Sequence, residues 1–325
     1  MKNSCREIKN ALKGARSAII ATHVDPDGDA IGSMLALGMI LEHLELETHY
    51  YAADSVPRIY RFLPGSEKIK RAVTDFHHFD VGFVVDASDI SRVGDKIELR
   101  KIAARIVNID HHPDNTQFGD INCVRRSSCV GELIYDLAKF LKIKLDKPMA
   151  DCLYTSIITD TGNFRYDNTN AKTFLIASEL IKAGVNTAEL TTRIYDTKSV
   201  PGVRISAQAL SNIKFSEDRK VAWTAVSEEM MAAANARPED LIGIVDAIRA
   251  IEGVEVAVFF REEKEKVKIN FRSKERVNVS EIARRFGGGG HLKASGAVVA
   301  GQLAEVEERV IGEVVKHMRA LKYLV

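Results

Sequence analysis

The densest chemistry in this chain of 325 residues lies in His23-Val-Asp-Pro-Asp-Gly-Asp29, one imidazole and three carboxylates within seven residues. Carboxylates so close repel one another and raise each other's pKa unless a cation neutralises them. An exposed acidic turn is the plain alternative, because Asp, Pro and Gly are the usual turn residues. Further segments favour the cation. Val84-Val-Asp-Ala-Ser-Asp89 places Asp86 after an apolar run, and Val107-Asn-Ile-Asp-His-His112 places Asp110, His111 and His112 after another. Ile157-Ile-Thr-Asp-Thr-Gly-Asn163 ends a hydrophobic helical pattern on Asp160, where the helix dipole disfavours a carboxylate and a bound cation would offset the cost. Thiolates are absent from every cluster, which argues against structural zinc, and mixed imidazole and carboxylate donors favour Mn2+ over Mg2+ or Ca2+. Six or more candidate ligands suffice for two ions. Two metals about 3.5 to 4 Å apart can activate water and clamp a phosphoryl oxygen, the logic of phosphate-ester hydrolysis.

The elements that must position these residues follow from hydrophobic periodicity. Residues 17–22 read as a buried strand, after which Ile31, Met34, Leu35, Gly38, Leu41 and Leu44 recur at helical spacing. Residues 48–52, 81–85 and 105–109 read as further strands, and their near-continuous apolar character predicts a parallel sheet covered on both faces. Ligands of such sheets gather at the carboxyl ends of the strands. After residue 109 the pattern turns helical, over 131–141, 148–159, 171–183 and 187–195, and residues 196–202 have the turn residues of a connector. Residues 221–226 and 254–260 then read as strands, and Val267, Ile269 and Phe271 alternate with Lys268, Asn270 and Arg272, which puts Arg272 opposite the core. Helical patterns recur at 241–251, 279–286 and 304–321. The predicted fold is α/β: a parallel-sheet domain over 1–190, a connector over 191–211 and a smaller α+β domain over 212–325, with the active site in the cleft between them.

Composition narrows the partners. The 46 basic and 45 acidic residues give a formal charge of +1, which offers no long-range attraction to duplex nucleic acid or an anionic membrane. The longest uncharged apolar run, residues 30–41, is well short of the ~20 residues needed to span a bilayer. The N-terminus lacks the apolar core of a secretory signal, and the four cysteines form no Cys-x-x-Cys pair, so the reading is a protein of the reducing cytoplasm. Residues 261–276 mix seven basic with four acidic side chains, a solvated hairpin pattern and no duplex-binding stripe. Trp223 reads as core.

The run His23-Val-Asp-Pro-Asp-Gly-Asp-Ala-Ile-Gly-Ser33, the Asp110-His-His112 triplet and Gly287-Gly-Gly-Gly-His291 together resemble the DHH phosphoesterase superfamily. The resemblance covers nearly the whole chain and is closest to the two-domain branch with a C-terminal DHH-associated domain, the bacterial nanoRNase/pAp phosphatases. It implies that His23, Asp27 and Asp86 hold one metal and that Asp29, Asp86, His111 and Asp160 hold the second, Asp86 bridging. Asp110 is then expected to orient the histidines and His112 to lie beside the substrate phosphate. Asp25 falls outside the ligand pattern and reads as turn, as do Asp89 and Asp114. In the second domain the glycine run lets backbone N–H groups converge on an anion, so Gly288, Gly289, Gly290 and His291, with an outward-facing Arg272 and Ser273, are expected to hold the nucleotide. Arg165 and Tyr166 are placed to reach the cleft, whereas Lys293 reads as solvated.

The expected activity is metal-dependent hydrolysis of very short oligoribonucleotides and of pAp, with two ions, preferably Mn2+, and no membrane or long duplex as partner. Members of the family are often homodimers. A cyclic-dinucleotide (c-di-AMP or pApA) phosphodiesterase is the nearest alternative, an inorganic pyrophosphatase a more remote one. A nucleotide-binding regulator with a dead catalytic domain is the non-enzymatic alternative; it predicts a lost ligand position, and none is lost.

Overall fold

The computed structural model describes residues 2–73 and 78–321. The chain forms two compact units, Met1–Asp196 and Thr197–Val325. In the first, the strands β1 (Ser17–Ala21), β2 (Glu47–Tyr51), β3 (Ile69–Lys70), β4 (Val81–Val85), β5 (Ile106–Asp110) and β6 (Ile121–Val124) make one sheet in the order β3-β2-β1-β4-β5-β6. Every pairing is parallel. The helices are α1 (Lys2–Ala11), α2 (Gly28–His43), α3 (Leu99–Ile102), α4 (Val130–Leu141), α5 (Lys147–Asp160), α6 (Ala171–Lys182) and α7 (Thr187–Thr191). Ala18 and Ile20 of β1 face the core shared with α2, α4 and α5, while Ile19 and Ala21 face a second core with Tyr51, Val84 and Leu99. Burial on both faces explains why these strands read as apolar runs.

The short strand β6 is an addition to the sequence reading, in which the pattern after residue 109 turns helical from 131 onward. Its sequence, Ile-Asn-Cys-Val, is too short and mixed to announce itself, and it exists because each residue pairs with β5. Among the helices, α2, α5 and α6 begin with Asp27, Asp146 and Asn170, whose side chains accept first-turn N–H groups. All four cysteines are buried and unpaired with one another. No helix among the described residues is long and apolar enough to cross a membrane.

The second unit comprises α8 (Val200–Ser211), β7 (Lys214–Phe215), β8 (Val221–Val226), α9 (Glu228–Ala234), α10 (Ile244–Arg249), β9 (Val256–Glu263), β10 (Lys266–Ser273), α11 (Val279–Arg284), β11 (Gly289–His291), β12 (Ala294–Ala300) and α12 (Leu303–Ala320). Its sheet runs β11-β12-β10-β9-β8-β7, antiparallel except for the parallel β8–β9 pair. Val258, Phe260, Ile269 and Phe271 pack on α11 and α12 through Ile282, Val310 and Met318. Pro201 and Gly202, read from sequence as connector punctuation, lie instead in the first turn of α8. Ser199 caps that turn by accepting the Gly202 N–H at 2.8 Å, and proline suits it because no N–H is needed there.

Candidate metal centre

The strand order of the first sheet reverses between β1 and β4, the kind of switch point at which open parallel sheets bind ligands. The segment 22–29 leaves the end of β1, Asp86 follows β4, and Asp110 to His112 close β5. Thr22 Oγ1 donates to Val85 O at 2.9 Å and ties the two central strand ends together. Asp86 itself has φ +57°, a left-handed conformation that Asp tolerates better than most residues and that marks functional turns.

These placements gather the sequence-predicted side chains into two groups. His23, Asp27 and Asp86 each offer an atom within 4.8 Å of the others, and so do Asp29, His111 and Asp160. Asp86 joins the groups: its Oδ2 is 3.6 Å from His23 Nε2 and its Oδ1 is 3.6 Å from His111 Nε2. His111 Nε2 is also 3.8 Å from both Asp29 Oδ2 and Asp160 Oδ2.

Each histidine's tautomer follows from the acceptor beside its Nδ1. His23 Nδ1 donates to Val24 O at 2.7 Å and His111 Nδ1 to Ser127 O at 3.2 Å, since a carbonyl can only accept. Both Nε2 atoms are thereby turned to the carboxylates, the orientation a metal-ligating histidine needs once its Nε2 proton has left. His112 Nδ1 donates to Asp110 Oδ1 at 2.8 Å, and Asn115 Nδ2 holds Asp110 Oδ2 at 2.6 Å. Asp110 therefore orients a histidine.

Asp29 is anchored from three directions. Its Oδ1 accepts Ser33 Oγ at 2.9 Å and Ser156 Oγ at 2.5 Å, and its Oδ2 accepts the Val130 N–H at 2.8 Å. The Ser156 contact requires α2 and α5 to touch. Gly32 allows it, because a Cβ there would lie 2.4 Å from Cys152 O.

The electrostatics of this crowding favour positive charge. Burial lowers the His23 imidazole, but the hydrogen bond to Asp86 and the charge of Asp27 outweigh it and lift it to about 9. Burial likewise opposes His111, whose carboxylate neighbours, Asp160 first, raise it to about 10. Burial, with Asp27 and Asp86, pushes Asp160 up to about 7 against the pull of His111. Asp86 is only 3% exposed, and its Oδ1 accepts no hydrogen bond among the described residues. A buried, bare carboxylate oxygen flanked by two imidazoles and three further carboxylates fits a divalent cation.

Arg165, Asp25 and Asp89 bond to other partners. Arg165 is exposed and donates from Nε to Gly162 O at 2.6 Å. Asp25 is exposed, with its N–H on Asp54 Oδ2, and Asp89 caps a short 3-10 turn through the Ser91 N–H. Arg272, Ser273, Gly288, Gly289, Gly290 and His291 belong to the second unit. There Arg272 lies on the half-buried face of β10, its Nε 3.5 Å from Asp246 Oδ1. Ser273 corrects the expectation of an outward pair: strand alternation turns it inward, 2% exposed, and its hydroxyl donates to Val277 O at 2.7 Å. The glycine run is also not wholly a loop, since Gly289–His291 pairs with β12 as an edge strand. Gly288 lets the chains approach, as a Cβ there would meet Gly296 O at 2.1 Å. Trp223, expected as core, packs partly buried against it with Nε1 on Glu307 at 2.9 Å.

Sequence reading missed Asn115, Asn168, Ser33, Ser156 and Glu132. Ser33 had a signal, four residues from Asp29 on one helix face. Glu132, four residues from Ser128 and five from Ser127, and Asn115, five from Asp110, are local too, whereas Ser156 reaches Asp29 and Asn168 reaches Ser128 only through the fold.

A parallel sheet bearing carboxylates and imidazoles at its switch point, followed by a mixed-sheet unit, is the architecture of a two-domain phosphoesterase. The chain belongs to the DHH family: the "DHH family, N-terminal domain" matches residues 17–157 and the "DHHA1 domain" matches residues 218–320. A Thermus thermophilus protein named bifunctional oligoribonuclease and PAP phosphatase NrnA is 36% identical over 98% of this chain and 96% of its own length. A Bacillus subtilis protein of the same name is 30% identical over 86% of this chain and 88% of its own. A Bacteroides fragilis exopolyphosphatase-related protein of known structure superposes with a TM-score of 0.88 at 27% identity, covering 100% of this chain and 98% of that one.

Proposed function

We propose that this chain hydrolyses very short oligoribonucleotides to mononucleotides and pAp to AMP, using two divalent ions, preferably Mn2+, in the cytoplasm. The observation that carries the reading is Asp86, shared between a His23–Asp27 group and an Asp29–His111–Asp160 group. Near full-length similarity to proteins named for both activities supports it. In this reading His23, Asp27 and Asp86 hold one ion, and Asp29, Asp86, His111 and Asp160 hold the other. The ions when bound would neutralise the phosphate ester and acidify water to near neutrality.

The remaining work falls to the chain's own groups. Asp110 fixes the proton on His112 Nδ1, which leaves Nε2 to polarise the phosphate or pass a proton to the leaving oxygen. Burial lowers the His112 pKa, but the Asp110 hydrogen bond and charge raise it above the ordinary value, so the imidazolium persists nearer neutral pH. Arg272 grips a substrate phosphate, assisted by the backbone of Gly288, Gly289 and Gly290 and by His291. A balanced net charge suits short substrates, because long strands are held by extended basic tracks.

The test is product release with Mn2+ from a diribonucleotide, a five-residue RNA, pAp, pApA, c-di-AMP and pyrophosphate. Turnover of the short RNAs and pAp ahead of the rest is the expected result. Preference for c-di-AMP or pApA would transfer the chemistry to second-messenger turnover, and inactivity on all six would overturn the enzyme reading.

A further inference from the structure

Glu132, in the first turn of α4, is a carboxylate only 1% exposed, and among the described residues it makes no hydrogen bond to any of the six proposed ligands. Burying a carboxylate is costly unless its oxygens are satisfied. Here they are: Oε2 accepts Ser127 Oγ at 2.7 Å, and Oε1 accepts Thr173 Oγ1 at 2.7 Å together with Ser128 Oγ. Lys172 Nζ stands 3.6 Å from Oε2. An ionised carboxylate is acceptor only, so all three hydroxyls must point their protons at it.

The consequence lies on the other side of the same turn. Ser127 O accepts His111 Nδ1 at 3.2 Å. Ser128 O accepts Asn168 Nδ2 at 2.8 Å, and that amide also donates to Asp160 O at 3.0 Å with Asp160 Oδ2 3.3 Å away. The two carbonyls that orient His111 and, through Asn168, Asp160 therefore sit on consecutive residues whose hydroxyls Glu132 pins. Among the described residues Glu132, Ser127, Ser128 and Asn168 make no hydrogen bond to His23 or Asp27.

We infer that Glu132 is a positioning residue for one half of the metal centre, setting His111 and Asp160 and leaving the His23–Asp27 half untouched. This rests on the dimetal reading above and deepens it. Removing an outer partner of a metal ligand typically weakens binding about 10- to 100-fold. Glu132→Gln keeps the shape but replaces an acceptor oxygen with a donor amide, so one serine hydroxyl loses its partner.

The experiment is calorimetric titration of the metal-stripped full chain with Mn2+, comparing wild type, Glu132→Gln and Ser127→Ala. Wild type is expected to bind two ions. In Glu132→Gln one binding step weakens by about 10- to 100-fold while the other holds. Equal weakening of both steps, or none, overturns the inference. Should Glu132→Gln fail to fold, Ser127→Ala decides, because it removes one pinned hydroxyl and keeps the carbonyl: it must weaken the same single step, and an unchanged titration overturns the inference. Wild type that binds no Mn2+ would sink the dimetal reading itself, a result distinct from a wild type and variants that titrate alike.

Discussion

Ser156, on α5, donates its hydroxyl to Asp29 on α2 at 2.5 Å, across 127 positions of sequence. The contact exists because Gly32, one turn along α2 from Asp29, brings the helix against Cys152 and Ser156. Gly32→Ala places a methyl 2.4 Å from Cys152 O, which is backbone and cannot swing away. The expected cost is about 1–3 kcal/mol from overpacking, read as a lower thermal midpoint, with weaker metal binding as Asp29 is displaced. An unchanged midpoint would show that the helices separate freely.

Asp86 belongs to both ligand groups, so its loss should disable both. Asp86→Asn suits the test, because Asn accepts the left-handed backbone at this position while the charge is lost and one of the two oxygens becomes a donor amide. Hydrolysis should fall by about 10³-fold or more, with bound metal below one ion per chain. Activity within a few-fold of wild type would refute the bridging assignment.

Metal uptake should release protons. A ligand must be deprotonated to bind, and at neutral pH the apoprotein carries protons on His23, lifted to about 9, and on His111, lifted to about 10. Apparent Mn2+ affinity therefore rises as pH increases from 7 toward 9. Titration in two buffers of different ionisation heat measures the release, and identical heats would contradict it.

The same groups set the pH dependence of the metal-free fold. His23, His111 and Asp160, the last raised to about 7, all bind protons more tightly folded than unfolded. The imidazole contribution is complete below the ordinary histidine pKa of about 6.5 and is lost as pH rises through 9 and 10. Asp160 adds in the same direction, because its ionisation in the fold is unfavourable. Denaturant unfolding should show the apoprotein less stable at pH 9 than at pH 6, and a rise would reverse the sign.

Arg272 offers a test of the division between the two units. Arg272→Ala should raise KM with metal content intact, because the side chain belongs to the second unit and contacts Asp246. Loss of bound metal in this variant would place Arg272 in the metal centre.

Much of the ligand set could be read from sequence because each member follows a strand or ends a helix, positions that short-range pattern reveals: His23 after β1, Asp86 after β4, His111 after β5, Asp160 at the end of α5. What supports those ligands was hidden for the opposite reason. Ser156 and Asn168 look like ordinary polar helix or loop residues until the fold brings them to Asp29 and to Ser128 and Asp160, and Glu132, although local to the Ser127–Ser128 turn, gains its meaning only when that turn meets His111. Ser273 was misplaced because its neighbour's role was extended to it against the two-residue alternation of β10. The glycine run concealed a strand, since glycine has little strand preference and β11 is held by its pairing with β12 alone.

The buried cysteines have a practical consequence. Burial raises the pKa of all four thiols, Cys123 to about 11, so little reactive thiolate exists at neutral pH. A thiol-specific reagent then reacts only when the first unit opens, and the labelling rate becomes a clock for its unfolding. Cysteine introduced at a chosen surface position would be the fast-reacting thiol in the folded chain, a clean attachment point for a spectroscopic reporter without removal of any native cysteine.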